Sequence, residues 1–155
     1  MAKLIHPELS YKVRGVLMDV YNALGPMLPE AYYQDAIALG LKERGIDCQM
    51  EKAFEVQYEG ERVGLYYVDA WIESGKILLE VKVAPAIKPL HKAQAISYLK
   101  VSGADLAIVA NYGGPSLEDQ RLPNFLPESP SKFSWEPRFK ASELPHEELL
   151  NSILR

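Results

Sequence analysis

The sequence is short of several things, and each shortage excludes something. It has a single cysteine, Cys48, so an intrachain disulfide and a zinc cluster built from cysteines are both excluded. With no disulfide framework, a reducing, cytoplasmic setting is the default expectation. No apolar run approaches the roughly 20 residues of a membrane span, and the first residues, Met1 to Pro7, lack the long apolar core of a secretory signal. No excess of basic charge is present either: 17 basic against 21 acidic side chains give a net charge of −4. That balance excludes coating of nucleic acid or anionic membrane by bulk charge. It does not exclude a local basic site. Repeats and low-complexity blocks are also missing. At 155 residues with 48% apolar composition, the chain has enough material for one domain with a core.

The apolar spacing then gives the elements. Val13, Val16, Leu17, Val20 and Leu24 recur at helical intervals over 9–24, and Gly25-Pro26 ends the run. A second helix is predicted over 30–44, with Tyr33, Ile37 and Leu41 on one stripe. Residues 53–58 and 62–73 alternate and are rich in aromatic and β-branched types, with Glu59-Gly60 as the turn. A third strand is expected over 76–83, a helix over 89–101 opened by Pro89 and closed by Gly103, and a buried strand over 104–111. The order is α-α-β-β-β-α-β, an α/β (α+β) class with a mixed central sheet flanked by helices. Residues 115–122 read as the last part of a domain spanning 1–122. Six of the 11 prolines fall between 115 and 145, so 123–155 is expected to be a Pro-rich arm with a short terminal helix over 146–154. Phe125, Phe133, Trp135 and Phe139 suit packing of that arm on its own domain or on a partner.

The segment 66–83 carries the chemistry. If Ser74-Gly75 is a two-residue turn, Glu73 faces Lys76, and by the same count Asp69 faces Glu80 on the neighbouring strand. Their Cα atoms would then lie roughly 4.5–5.5 Å apart. Two like charges so placed destabilise a hairpin unless something compensates, and a hard divalent cation takes oxygen ligands. Lys82 shares the face of Glu80, while Leu79, Val81 and Val83 point the other way. The competing possibility is a solvent-exposed sheet face with an ordinary Glu/Lys pair. In the next helix His91, Gln94 and Tyr98 are spaced three and four apart and share a face, with Ala95 and Leu99 on a neighbouring stripe. From Val81 to Ala104 there are four lysines (Lys82, Lys88, Lys92 and Lys100) and no acid, so this window carries +4 against −8 for the rest. A basic stripe beside a carboxylate pair suits a phosphodiester substrate.

These residues resemble the PD-(D/E)XK nuclease superfamily: Asp69, then Glu80-Val81-Lys82, then Gln94-Ala95-Ile96-Ser97-Tyr98. Upstream, Leu24-Gly25-Pro26 leading to Glu30-Ala31-Tyr32-Tyr33 resembles the GxxExxY proteins of that superfamily, with Glu30 and Tyr33 in place. The likeness runs through His91 to Lys100 and Asn111-Tyr112-Gly113, roughly residues 10–121. Met27 stands where the GxxExxY pattern has Gly, and Val68 precedes Asp69 where Pro is common. The resemblance implies a restriction-endonuclease-like core and a nuclease activity, on DNA in preference to RNA. It implies Asp69, Glu80 and the Val81 backbone carbonyl as ligands of Mg²⁺ or Mn²⁺, with Glu30 completing the shell through a water. Lys82 would orient the attacking water, and Gln94 and Tyr98 would position substrate or water. Tyr33, Lys88, His91, Lys92 and Lys100 are the expected substrate contacts, with His91 open between that role and a helix-opening one. The alternatives are a non-catalytic subunit that binds nucleic acid or a protein partner on a nuclease fold, and a phosphoesterase of small nucleotides. A second copy of the chain is a further candidate partner.

Overall fold

The helical periodicity from Val13 to Leu24 becomes α1, Pro7–Leu24, and that from Tyr33 to Leu41 becomes α2, Glu30–Glu43. In this computed structural model, residues 5–124 are described. The chain continues through β1 (Cys48–Tyr58), β2 (Glu61–Ile72), β3 (Ile77–Lys82), α3 (Pro89–Ser102), β4 (Leu106–Asn111) and β5 (Glu118–Pro123). The five strands form one sheet in chain order. β3 and β4 run parallel, joined by α3, and every other neighbouring pair is antiparallel. Helices α1 and α2 cover one side, where Val13, Leu17, Ile37 and Leu41 meet Leu79, Val81 and Ile108. α3 covers the other, where Ala95 and Leu99 meet Leu78, Ala107 and Val109. β3 and β4 are therefore apolar on both faces, as a sheet buried twice requires. The architecture is the expected mixed sheet flanked by helices, a restriction-endonuclease-like core.

Two parts differ from expectation. Residues 115–122 hold a fifth strand, β5, paired to β4 from Leu106↔Pro123 to Asn111↔Glu118. Its residues EDQRLP are all half-buried, so no alternation marks it as a strand; its pairing with β4 makes it one. The expected arm over 123–155 lies outside the described residues except for Pro123 and Asn124. Asn124 donates its side-chain amide to the Leu99 and Ala104 carbonyls, at 3.1 and 2.8 Å, tying the end of β5 to the end of α3.

The turn between β2 and β3 is the second difference. The register is the expected one, with Ala70↔Leu79 and Ile72↔Ile77, but the ladder closes at Ile72 and Ile77, not at Glu73 and Lys76. Glu73 leaves the ladder because its carboxylate accepts the Asp47 amide at 2.8 Å, while its own amide donates to the Asp47 carbonyl. The chain then turns through Glu73, Ser74 and Gly75, all at positive φ. A Cβ on Gly75 would sit 2.5 Å from the Trp71 ring.

Along β2 the even positions from Gly64 to Ile72 are buried. Tyr66 and Val68 join the α3 side of the core, whereas Ala70 and Ile72 join the α1/α2 side. The changeover falls at Asp69. Opposite it on β1, between Met50 and Lys52 in the register, Glu51 takes a left-handed backbone at φ +54°. Only Ala70 to Ile72 of β2 pair with β3. The rest of the β1–β2 hairpin extends past the sheet, and Asp69 stands at the fork.

Candidate active site

At that fork Asp69 replaces the missing ladder bond with its side chain. Its Oδ2 accepts the Val81 amide at 2.6 Å, and its Oδ1 accepts the Gln34 side-chain amide at 3.0 Å. Asp69 and Glu80 are thus close across the strands, although the backbone ladder ends one pair short of them. Glu80 is buried on an otherwise apolar strand, and its Oε2 has no hydrogen-bond partner among the described residues. The exposed-face alternative is therefore excluded. Lys82 follows on the same strand and is also largely covered; its Nζ lies 4.0 Å from Glu80 Oε1.

Electrostatics at the fork are unbalanced. Burial pushes the Asp69 carboxyl up to about 6, the Val81 amide opposes that, and Glu30 and Glu51 add to it. Burial also holds Glu80 well above the usual carboxylate range, with Asp69 as the next cause. Glu30, the first residue of α2, is raised by desolvation of its carboxyl, and Lys82 works against that rise. Three carboxylates thus share one lysine. A buried, unpartnered carboxylate oxygen is costly, and this arrangement is relieved by one added cation.

Lys82 is held from behind. Its Nζ donates to Gln94 Oε1 at 3.0 Å, and Gln94 Nε2 donates to Tyr98 Oη at 2.8 Å. Tyr98 stacks on Tyr66 with ring centroids 4.3 Å apart. Burial, then the nearby Glu80, raises both phenols far above their ordinary value, so they stay protonated. The Gln94/Tyr98 stripe predicted from spacing is a buried relay behind the lysine.

The other expected residues divide. His91 caps α3: its Nδ1 accepts the Lys88 amide at 3.0 Å, which leaves Nε2 as the protonated nitrogen. Burial, then Lys82 and Lys88, lowers its pKa, so the ring is neutral at pH 7. Lys88 is the N-cap of α3, and Lys92 lies about one turn further on. Lys100 sits in the last turn, about 18 Å along the helix from Lys88, and is not brought to the site. Tyr33 is fully buried, which corrects its expected place among substrate contacts. It stacks on Tyr112 at 4.2 Å, donates to the Gly25 carbonyl and accepts the Leu28 amide. It shapes the loop that delivers Glu30.

Within that loop Met27 takes φ +70° and is 70% exposed, with its amide donating to the Tyr112 carbonyl. A left-handed non-glycine residue costs about 1–2 kcal/mol, of which glycine's extra chain entropy cancels roughly half. Met27→Gly is expected to raise stability by about 0.5–1 kcal/mol, a shift of a few degrees in thermal melts.

Residue spacing did not single out Gln34, Glu51 or Asn111. Gln34 lies one helical turn after Glu30, and that i,i+4 relation was the available signal. Asn111, paired with Lys82 across the parallel ladder, binds both the amide and carbonyl of Ala84 at 2.9 Å and fixes the chain leaving Lys82. Gly113 follows, where a Cβ would meet the Ala84 oxygen at 2.1 Å.

Among the described residues no group of three His, Cys, Asp or Glu side chains forms a metal cage. Two carboxylates, a backbone carbonyl and waters are a sufficient donor set for Mg²⁺, and the unpartnered Glu80 Oε2 fits such an ion. No helix among the described residues is long and apolar enough to cross a membrane.

No curated protein matches the chain. Among solved structures it is similar to the crystal structure of SSO0001, over 90% of this chain and 71% of that one, at 19% identity and a TM-score of 0.44. That likeness is too slight to inform the site. A family model described as the PD-(D/E)XK nuclease superfamily matches residues 7–122. The match takes in every residue of the fork, from Glu30 to Tyr98, and the chain belongs to the PD-(D/E)XK nuclease superfamily.

Proposed function

We propose that the chain is a metal-dependent nuclease that hydrolyses phosphodiester bonds, in DNA in preference to RNA. The observation that carries this reading is the buried, unpartnered Oε2 of Glu80 beside Asp69, with Lys82 as the neighbouring cation. The order Glu30, Asp69, Glu80, Lys82 and Gln94-x-x-x-Tyr98 supports it, as does the likeness of Glu30 and Tyr33 to the GxxExxY proteins.

In this reading Asp69, Glu80 and the Val81 carbonyl would hold Mg²⁺ or Mn²⁺, with Glu30 contributing through a water. An ion held there would supply Lewis-acid chemistry, acidifying water and drawing charge from the phosphate. Lys82 then orients the attacking water and stabilises charge developing on the phosphate. Gln94, held by Tyr98, keeps the Lys82 ammonium in place. Lys88, Lys92 and the protonated Nε2 of His91, grouped at the start of α3, are the phosphate contacts.

Gln34 orients Asp69 by the hydrogen bond described above. Gln34→Ala is expected to weaken Mn²⁺ binding about 10-fold by calorimetry while the fold persists. An unchanged affinity would make Gln34 a packing contact only.

The test of the function is cleavage of labelled single-stranded, duplex and flapped DNA with Mg²⁺ or Mn²⁺. Cleavage that chelation stops and Asp69→Ala abolishes is the expected result. Metal-independent binding to the same DNAs without any cleavage would favour a non-catalytic subunit.

A further inference from the structure

Two residues before Asp69 on β2, Tyr67 is 53% exposed. Strand alternation sets it opposite Tyr66 and Val68, on the α1/α2 side from which Gln34 reaches Asp69, about 6.8 Å along the strand from that carboxylate. Among the described residues Tyr67 makes no side-chain hydrogen bond, ion pair or ring contact, whereas its neighbour Tyr66 is buried between Phe54 and Tyr98. Its cross-strand partner is Ala53, which is exposed and too small to cover the ring.

The charges around Tyr67 are the opposite of those across the fork. Glu51 and Glu55 flank Ala53 on β1 and are both exposed, while Lys82, Lys88 and Lys92 lie on the β3–α3 side. A phosphate backbone is repelled by the first and attracted by the second. A nucleic-acid strand crossing the fork is therefore oriented, with phosphates toward α3 and bases toward the hairpin.

We infer that Tyr67 is a stacking platform for an unpaired nucleobase next to the scissile phosphate, so the preferred substrate is single-stranded or unpaired at the cut. A base can lie flat on this ring only if it has left its own stack and pair, and such stacking is tolerant of sequence. The inference rests on the nuclease reading above.

The test compares Mn²⁺-dependent cleavage of a DNA oligonucleotide with that of its blunt duplex, using the full chain. Wild type is expected to favour the single strand. Tyr67→Ala should raise KM for the single strand about 10-fold, the loss of one base–ring stack, and leave the duplex rate nearly unchanged. Tyr67→Phe should restore wild-type behaviour, because the ring and not the hydroxyl is required. A 2-aminopurine beside the cut should be quenched by wild type and by Tyr67→Phe, and not by Tyr67→Ala. Preference for the duplex, an unchanged KM in Tyr67→Ala, or equal losses on both substrates would overturn the inference while leaving the nuclease reading in place. Neither binding nor cleavage of either DNA by wild type would overturn both.

Discussion

Lys82→Met is expected to lower the rate of metal-dependent DNA cleavage by about 10²–10³-fold, the loss typical of removing one preorganised charge from a reacting centre. Methionine keeps the unbranched stem, so the change removes the ammonium and little packing. The ammonium lies 3.0 Å from Gln94 Oε1 and 4.0 Å from Glu80 Oε1, beside the carboxyls of Asp69 and Glu30 as well. Single-turnover kinetics should place the loss in kcat, with KM for DNA little changed. The variant should also melt lower than wild type at pH 8 without metal, because Asp69 and Glu80 lose their nearest counter-charge. A variant that folds, binds metal and cleaves at the wild-type rate would remove Lys82 from the mechanism.

Glu80→Gln does the reverse to stability. A carboxyl whose native pKa lies above its unfolded value favours folding while protonated, and that contribution is lost as pH rises through the native value. Asp69 moves from 3.8 to about 6, and Glu80 is raised in the same direction. In the metal-free protein, the stability from Asp69 is therefore complete below about pH 4 and is lost as pH rises through about 6, and that from Glu80 is lost in the same direction. Glu80→Gln removes the buried charge, keeps the shape and relieves Asp69 as well. Its expected melting temperature exceeds that of wild type by about 5 °C at pH 8, with little difference at pH 4. Millimolar Mn²⁺ should raise the wild-type melt at pH 8 and leave the variant's nearly unmoved. Equal melts at both pH values would mean that Glu80 is not a strained acid.

The sequence made Asp69, Glu80 and Lys82 legible because strand alternation and a register count need only the position of one turn. The count survived even though the turn itself was different. Glu73 and Ser74 adopt left-handed backbone, and the reason, the bond from the Asp47 amide to the Glu73 carboxylate, joins residues 26 positions apart. The helical stripe of His91, Gln94 and Tyr98 was equally legible as a face, but its burial was not. Only the closure of α3 over the sheet turns Gln94 and Tyr98 into a support for Lys82 and His91 into a cap. Tyr33 was misjudged for a related reason: a tyrosine on an apolar stripe packs first, and its hydroxyl served the loop from Gly25 to Leu28. β5 escaped because its half-buried, charged residues carry no period; Arg14 and Asp119, joined at 2.6 Å, anchor it from α1. Gln34 and Asn111 are polar residues whose partners come from distant strands and loops, so composition could not distinguish them from surface amides.

On this reading the fork between β2 and β3 is a cation site built on Asp69 and Glu80. Calorimetric titration of the metal-free chain with Mn²⁺ at pH 7 tests it most directly, in two buffers of different ionisation enthalpy and alongside Asp69→Ala. Saturable binding at millimolar concentration or below is expected, with proton release as the raised carboxyls ionise and loss of both in the variant. Absence of saturable binding in wild type, or the same binding in Asp69→Ala, would contradict it.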